Sequence, residues 1–357
     1  MLSSLRALDF RCFPTLGIEV PEAGAVFTGA NAQGKTSVLE AVCVLLRLHS
    51  PRTTRMQTLA KVDGGGGFGI AGEAWGMERR IDWRPRQSMR HTVDGEDRGS
   101  QGAYLSDGGL LVWMGNDDLD LVRGSGESRR RYLDFMGCQV DAGYRRALAR
   151  YRRALKTKNL LLKEGDRRRG EIESYETVMI PAAAELRRVR ERLCDRLSAR
   201  VAEEQRRIAG REEKVDAIYQ IAGGMDLAEA LEQAREKEFR QRRSLVGPHR
   251  DELELRIHGL AAASFASEGQ QRTLALALKL AQGAVLREQA GREPLWLIDD
   301  VFGELDPTRR NALMHALPQS AQKWITTTCL RWLQEAPDFA GLARFEVDGG
   351  KLTRTDG

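Results

Sequence analysis

Lys35 and Thr36 close the stretch Gly29-Ala30-Asn31-Ala32-Gln33-Gly34-Lys35-Thr36, in which two glycines, an ammonium and a hydroxyl stand at fixed offsets. The order fits G-x-x-x-x-G-K-[ST], a loop that wraps the phosphates of a nucleoside triphosphate. Glycine lets the backbone turn tightly and bring its N–H groups against phosphate oxygens. Lys35 supplies a point charge for the β- and γ-phosphates, and Thr36 a hydroxyl for Mg²⁺. Such a loop needs a carboxylate for its metal. Leu295-Trp296-Leu297-Ile298-Asp299-Asp300 has the form of a Walker B strand, four apolar residues and then acid. Asp299 is expected to hold Mg²⁺, directly or through water, and Asp300 to polarise the attacking water.

These residues act only if the chain delivers them to one place. A strand-like run, Ala25-Val26-Phe27-Thr28, precedes the loop, and a helix with apolar Val38, Leu39, Val42, Leu45 and Leu46 follows. A helix N-terminus behind a glycine-rich loop attracts anions. The run before Asp299 reads as a parallel strand buried on both faces, with its acids at the C-terminal end, where α/β sheets bind ligands. Around these elements the pattern changes along the chain. Residues 1 to about 105 read as strands and turns, with Phe68 to Trp83 as part of an antiparallel meander and Gly64-Gly65-Gly66-Gly67 as a loop tip. From Asp117 to Arg243 the chain reads as helical. Tyr144, Leu148, Tyr151 and Leu155 make one apolar stripe, and Leu186, Val189, Leu193, Leu197 and Val201 another. A polar turn from Gly165 to Gly170 separates them, so packed antiparallel helices with a short coiled-coil hairpin are expected. Glu252 to Ile257 then alternates as a strand, and Thr273 to Leu286 reads as an amphipathic helix. The expected fold class is α/β: a P-loop core, a mixed sheet with flanking helices, split by a helical second lobe. Residues 1–110 would form the first part of the core, 111–243 the helical lobe and 244–357 the second part.

Composition narrows the setting. A chain of 357 residues suggests two lobes, and 41% hydrophobic with 30% charged residues suggests a soluble globular protein. No run of about 18 apolar residues and no signal-peptide pattern is seen, so a cytoplasmic protein without a membrane partner is expected. Cys12, Cys43, Cys138, Cys194 and Cys329 are scattered and read as reduced packing residues. The five histidines lack metal-ligand spacing, so no zinc is expected. Net charge is +5, but Arg123 to Arg243 holds 30 Lys/Arg against 21 Asp/Glu. A basic middle third leaves nucleic acid open as a partner.

Some 30 residues ahead of Asp299 lies Ser267-Glu268-Gly269-Gln270-Gln271-Arg272. Ser267 is a predicted helix N-cap, and Gly269 leaves room for a phosphate against the backbone. S-x-G-Q just before Walker B resembles the signature motif of ABC ATPases, where serine and glycine reach the γ-phosphate of ATP held by a second subunit. Gly303-Glu304-Leu305-Asp306 resembles the D-loop of the same class, and Trp324-Ile325-Thr326-Thr327-Thr328 a strand ending at its switch position, with threonine where histidine is common.

Further segments make the chain resemble the RecF family, bacterial replication and repair ATPases related to SMC proteins. They are Asp9-Phe10-Arg11, Arg52-Thr53, Asp117-Asp118-Leu119, Arg129 to Asp134, Tyr144 to Leu161, Gly247-Pro248-His249-Arg250-Asp251-Glu252-Leu253 and Asp299-Asp300-Val301-Phe302 with Glu304-Leu305-Asp306. Departures are Met114-Gly115-Asn116 where the family tends to F-x-P, Ser37 where asparagine is frequent, and Lys158 where arginine is common. The resemblance implies an ABC-type head that binds ATP and Mg²⁺ through Gly29 to Thr36 and Asp299. Ser267, Gly269 and Gln270 of a second copy would close over the nucleotide, forming an ATP-dependent homodimer. It further implies a slow, DNA-stimulated ATPase working as a switch in recombinational repair, replication-fork recovery and the SOS response. The partners would be gapped or junction DNA, RecR and RecO, in support of RecA loading.

Other readings stay open at this level. A transporter nucleotide-binding subunit shares the ATPase motifs but not the basic insert or G-P-H-R-D. An ATPase-coupled nuclease needs an acidic domain, for which the residues after Asp300 leave no room. Arg129 to Arg131 can be DNA contacts, lobe contacts or a solvated face, and Arg167, Arg168 and Arg169 DNA contacts or a solvated hairpin tip. His249 can equally be a turn residue satisfying nearby backbone, and Arg52 a loop charge.

Overall fold

The computed structural model describes residues 1–224, 226–335, 339 and 341–356. In chain order its elements are β1 (Ser4–Phe10), β2 (Phe13–Glu19), β3 (Gly24–Thr28), α1 (Lys35–Arg47), β4 (Phe68–Ala74), β5 (Met77–Trp83), β6 (Arg90–Val93), β7 (Glu96–Asp97), α2 (Gln101–Ser106) and β8 (Leu111–Gly115). Then come α3 (Asp120–Arg123), α4 (Gly126–Val140), α5 (Ala142–Glu164), α6 (Arg169–Ala209), β9 (Val215–Gln220), α7 (Leu227–Gln241), β10 (Glu252–Ile257), β11 (Leu260–Ala261), α8 (Ala262–Phe265) and α9 (Glu268–Ala290). The chain ends with β12 (Leu295–Asp299), α10 (Pro307–Ala316), β13 (Lys323–Thr327), β14 (Ala343–Asp348) and β15 (Lys351–Arg354). They fall into two compact units, Met1–Asn116 with Gly291–Gly357, and Asp117–Ala290.

The first unit contains two six-stranded sheets. One is antiparallel, in the order β2-β1-β4-β5-β6-β7. The other has the order β15-β14-β3-β13-β12-β8 and is parallel throughout except for the β14–β15 hairpin. The parallel strands read as continuous apolar runs because both faces are covered. Leu295 to Ile298 are all buried, as are Trp324, Ile325 and Phe27, whose rings pack at 5.5 Å between Phe27 and Trp324. Their order matters for the chemistry. Parallel register sets Asp299 beside Thr326, and Thr327 beside Thr28. The end of β12 therefore lies one strand away from the strand that feeds the glycine-rich loop.

The second unit is mainly helical. Helices α5 and α6 are joined by a turn through Gly165, at φ 89°, and their apolar stripes meet in one core with Tyr144, Leu148, Tyr151, Leu186, Leu193 and Leu197. Two sequence expectations change here. Residues 215–220 form a strand, β9, which pairs antiparallel with β10 inside the stretch read as helical. Helix α9 is not amphipathic over Thr273 to Leu286: apart from Ala284 every residue there is buried, so it is a central core helix rather than a surface one. That burial also moves the unit boundary. The sequence reading placed the second break near residue 243, whereas β10, α8 and α9 share the core of the helical unit and the break falls at 290/291.

The G-P-H-R-D segment lies in this unit as a joint of buried hydrogen bonds. Asp251, fully buried, accepts from Arg187 Nε and Nη2 at 3.1 Å each, from the Tyr219 hydroxyl at 2.6 Å and from Ala222 N–H at 2.9 Å. Arg190 bonds Pro248 O at 2.7 Å and Asp134 at 2.8 Å. His249 Nδ1 pairs with the Tyr151 hydroxyl at 2.7 Å, and burial pushes the imidazole down to about 4.

Candidate nucleotide site

Helix α1 begins without the usual side-chain cap. Its N-cap is Gly34, no side chain bonds its first-turn N–H groups, and its first turn carries no acid. An uncapped helix N-terminus is an anion site. The glycines are required by close packing in the left-handed region. At Gly29, φ 141°, a Cβ would collide with Val347 O; at Gly34, φ 111°, with Cys12 Sγ. Gln33 Oε1 accepts from Gly349 N–H at 2.7 Å and braces the loop from the β14–β15 turn.

Lys35 is buried and turns its ammonium back to the loop, donating to Gly29 O at 2.7 Å and Ala30 O at 2.8 Å. Burial lowers its pKa, while Asp300 and Asp299 pull it upward. Thr36 Oγ1 donates to Asp299 Oδ1 at 2.8 Å, and Thr326 Oγ1 donates to the same oxygen at 2.7 Å. Burial raises the Asp299 pKa, an effect that the two hydroxyls oppose. Asp300 sits in the left-handed region at φ 53°, held by Thr326 through its N–H, and its Oδ1 is buried without a hydrogen-bond partner among the described residues. Its pKa is raised by burial and drawn back down by Lys35.

Gly34, Lys35, Thr36, Asp300 and Thr326 line a cleft of about 700 Å³ with Arg11, Cys12, Asn31, Ala32, Ser37 and Arg52, and Asp299 adjoins it through its bond from Thr36. The first unit has a second hollow, of about 380 Å³, on the antiparallel sheet around Leu8, Gly69 and Arg80; none of Gly29 to Thr36 lines it. The cleft suits a nucleoside triphosphate and a hard cation. It offers an uncapped helix end, a lysine, and two adjacent oxygen ligands on Thr36 and Asp299, the donor type that Mg²⁺ takes.

Three features of the site escaped sequence reading. Glu40, fully buried on α1, receives Arg11 Nε and Nη2 at 2.8 and 2.7 Å and the Ser50 hydroxyl at 2.5 Å, with Arg52 Nη1 3.7 Å away. An acid inside the apolar run of α1 was the available signal. Cys12, read as a packing residue, is exposed and lines the cleft, and Cys329 is exposed as well. Asn116 Nδ2 donates to Glu304 Oε1 at 2.8 Å, tying the end of β8 to the D-loop-like segment, whose Asp306 caps α10.

Ser267 and Gln270 form a reciprocal cap on α9: Gln270 N–H donates to Ser267 Oγ at 3.3 Å, and Ser267 N–H to Gln270 Oε1 at 2.9 Å. Gln270 Nε2 also donates to Glu213 Oε1 at 2.9 Å. Ser267 stays exposed while Gly269 and Gln270 are half-buried.

The arginines singled out for DNA are mostly engaged within the fold. Arg129 makes a two-point contact with Glu252 at 2.6 and 3.0 Å, and Arg130 donates to Asp251 O at 2.9 Å. Arg168 pairs with Glu164 and Glu171, and Arg169 with Asp166 and Glu236. Arg167 is exposed and shows no ion pair among the described residues.

No family model matches the chain. Curated relatives do. A DNA replication and repair protein RecF of Gloeobacter violaceus is 34% identical over 359 residues, covering 94% of this chain and 95% of the relative. Another, from an Anaeromyxobacter species, is 36% identical over 373 residues, covering 99% and 98%. Among solved structures, the recombination mediator protein RecF-ATPrS in the RecFOR pathway superposes with a TM-score of 0.88 at 26% identity, covering 99% of this chain and 98% of that one. An Smc head domain bound to the C-terminal domain of ScpA, from Pyrococcus furiosus, shares the fold alone, with a TM-score of 0.55 at 16% identity and coverage of 99% and 95%.

Proposed function

The chain belongs to the RecF family of DNA replication and repair proteins, and from that premise we propose that it is an ATP-gated, DNA-binding switch whose nucleotide site is completed by a second copy of itself. The observation that carries the reading is the junction of Thr36, Asp299 and Thr326, which joins the glycine-rich loop, the acidic strand end and the switch strand through one carboxylate oxygen.

Magnesium-bound ATP, when present, supplies the γ-phosphoryl group and the charge that neutralises it. Gly29 to Thr36 hold the phosphates through backbone N–H groups and Lys35. Thr36 and Asp299 hold the cation, Thr326 orienting Asp299 as an outer partner. Asp300, which lines the cleft and has a raised pKa, accepts the proton of the attacking water. Ser267 and Gly269 of the second copy reach the γ-phosphate, so each chain contributes half of each site and the dimer has two-fold symmetry. Loss of the γ-phosphate removes that contact and loosens the dimer. Hydrolysis is slow because its output is a conformational state. Acting in the cytoplasm, the dimer binds gapped or duplex DNA through phosphates without reading sequence. The solved relative in the RecFOR pathway supports RecR and RecO as partners. Among the described residues no helix is long and apolar enough to cross a membrane.

The test is binding to gapped and blunt duplexes with and without ATP, across a salt series. Tighter binding with ATP and a steep salt slope support the switch; DNA binding indifferent to ATP rejects it.

A further inference from the structure

The excess positive charge of the second unit is not spread evenly. Helix α6 carries most of its exposed arginines beside carboxylates, Arg196 being the exception: Arg188 pairs with Glu185, Arg200 with Glu203 and Glu288, and Arg206 with Glu212. Neutral interleaving of this kind is what a solvated helix face looks like.

Helix α5 differs. It holds eight Lys/Arg and a single acid, Glu164. Three of the eight are turned inward: Lys158 is fully buried between Glu176 at 2.9 Å and Glu238 at 2.6 Å, Arg152 reaches Asp134 at 2.8 Å, and Arg145 is half-buried with its Nη1 out of solvent. Arg146, Arg150, Arg153, Lys156 and Lys163 are exposed, with no carboxylate in ion-pair range among the described residues. At 100° per residue all five fall within an arc of about 140°, and from Arg146 to Lys163 they run about 26 Å along the axis. Exposed Arg167, in the turn that follows, carries the line onward.

Like charges at i,i+4, such as Arg146 and Arg150, weaken an isolated helix. Their accumulation on one face returns nothing to the fold, because none of the five is paired. A band of cations about 26 Å long spans about eight base pairs of duplex and is opposite in sign to the dense charge of its backbone. Between the cations the face offers Ala149, Thr157 and the exposed Leu160, with no aromatic ring for base stacking and no amide for base edges, and its one acid, Glu164 at the far end, is paired with Arg168.

We propose that the outward face of α5, from Arg146 to Lys163 and on to Arg167, is a contact surface for the phosphate backbone of DNA. The inference rests on the DNA-binding reading above and gives that reading a location.

The experiment compares the full-length chain with R146Q/R150Q/R153Q/K156Q and with a control on the neutralised face, R188Q/R200Q/R206Q, by anisotropy of a labelled duplex at increasing salt. Melting curves and basal ATPase establish that each variant is folded. The α5 variant is expected to lose at least about tenfold in affinity, and its plot of log K against log salt to flatten by about 0.9 per lost phosphate contact. The α6 control is expected to bind as the wild type does. An α5 variant with wild-type affinity and slope, or an equal loss in the α6 control, overturns the assignment while leaving the family reading intact. Failure of the wild type to bind DNA at low salt overturns the DNA reading itself. Binding of anionic vesicles as tight as that of DNA, lost in the same variant, overturns DNA as the occupant.

Discussion

Thr326 Oγ1 donates to Asp299 Oδ1 at 2.7 Å and also accepts from the N–H of Asp300 at 2.9 Å, so one hydroxyl fixes both acids of the strand end. Under the proposed function Thr326 orients the carboxylate that would hold Mg²⁺. Thr326→Val keeps the shape of the side chain and removes the hydroxyl. It is expected to weaken Mg²⁺-dependent hydrolysis about 10- to 100-fold. A titration of Mg²⁺ against steady-state hydrolysis separates a metal defect, rescued at high Mg²⁺, from a folding defect, which is not.

Lys35→Met removes the loop ammonium and is expected to abolish ATP binding, measured with a fluorescent ATP analogue. Ser267→Arg is expected to keep nucleotide binding and lose ATP-dependent dimerisation. Sedimentation velocity with ATP checks it, and a dimer of the Ser267 variant as strong as the wild type's would rule out the shared site. Ser267→Ala removes the α9 cap as well and is expected to cost about 1 kcal/mol of stability.

Glu40 is fully buried and holds Arg11, itself only 20% exposed as a side chain. Glu40→Ala leaves that guanidinium without its partner, and breaking a largely buried pair in this way costs about 3–5 kcal/mol. The loss is expected in urea denaturation. Glu40→Gln retains an acceptor and is expected to recover part of the stability. Because Arg11 and Arg52 line the cleft, it is also expected to raise the KM for ATP while leaving kcat within a few-fold.

His249 has its folded pKa lowered to about 4 by burial. The unfolded chain takes up its proton near pH 6.5, whereas the native state resists until about pH 4. The unfolded state therefore binds more protons between these values, and this group's contribution to stability is complete above pH 6.5 and is lost as pH falls toward 4. The loss amounts to about 3 kcal/mol. Urea unfolding at pH 7, 5.5 and 4.5 checks it: the wild type is expected to fall more steeply than His249→Gln over the same window.

The order of residues by itself determined those features that depend on neighbours along the chain. The glycine-rich loop, the apolar run ending in Asp299-Asp300 and the Ser267–Gln270 cap are each set within a few residues by backbone geometry and hydrogen bonding. So are the stripes of α5 and α6. Through-space distance decided the rest. Asp299 meets Thr36, 263 positions away, only because β12, β13 and β3 lie side by side in parallel register. No spacing rule forecasts which strand is next to which. The same holds for charge. Arg129, Arg168 and Arg169 look as free in sequence as Arg146 and Arg153, but a carboxylate folded against the first three neutralises them and none reaches the other two. Helix α9 shows the same limit from the apolar side, since only the tertiary fold encloses it on every face.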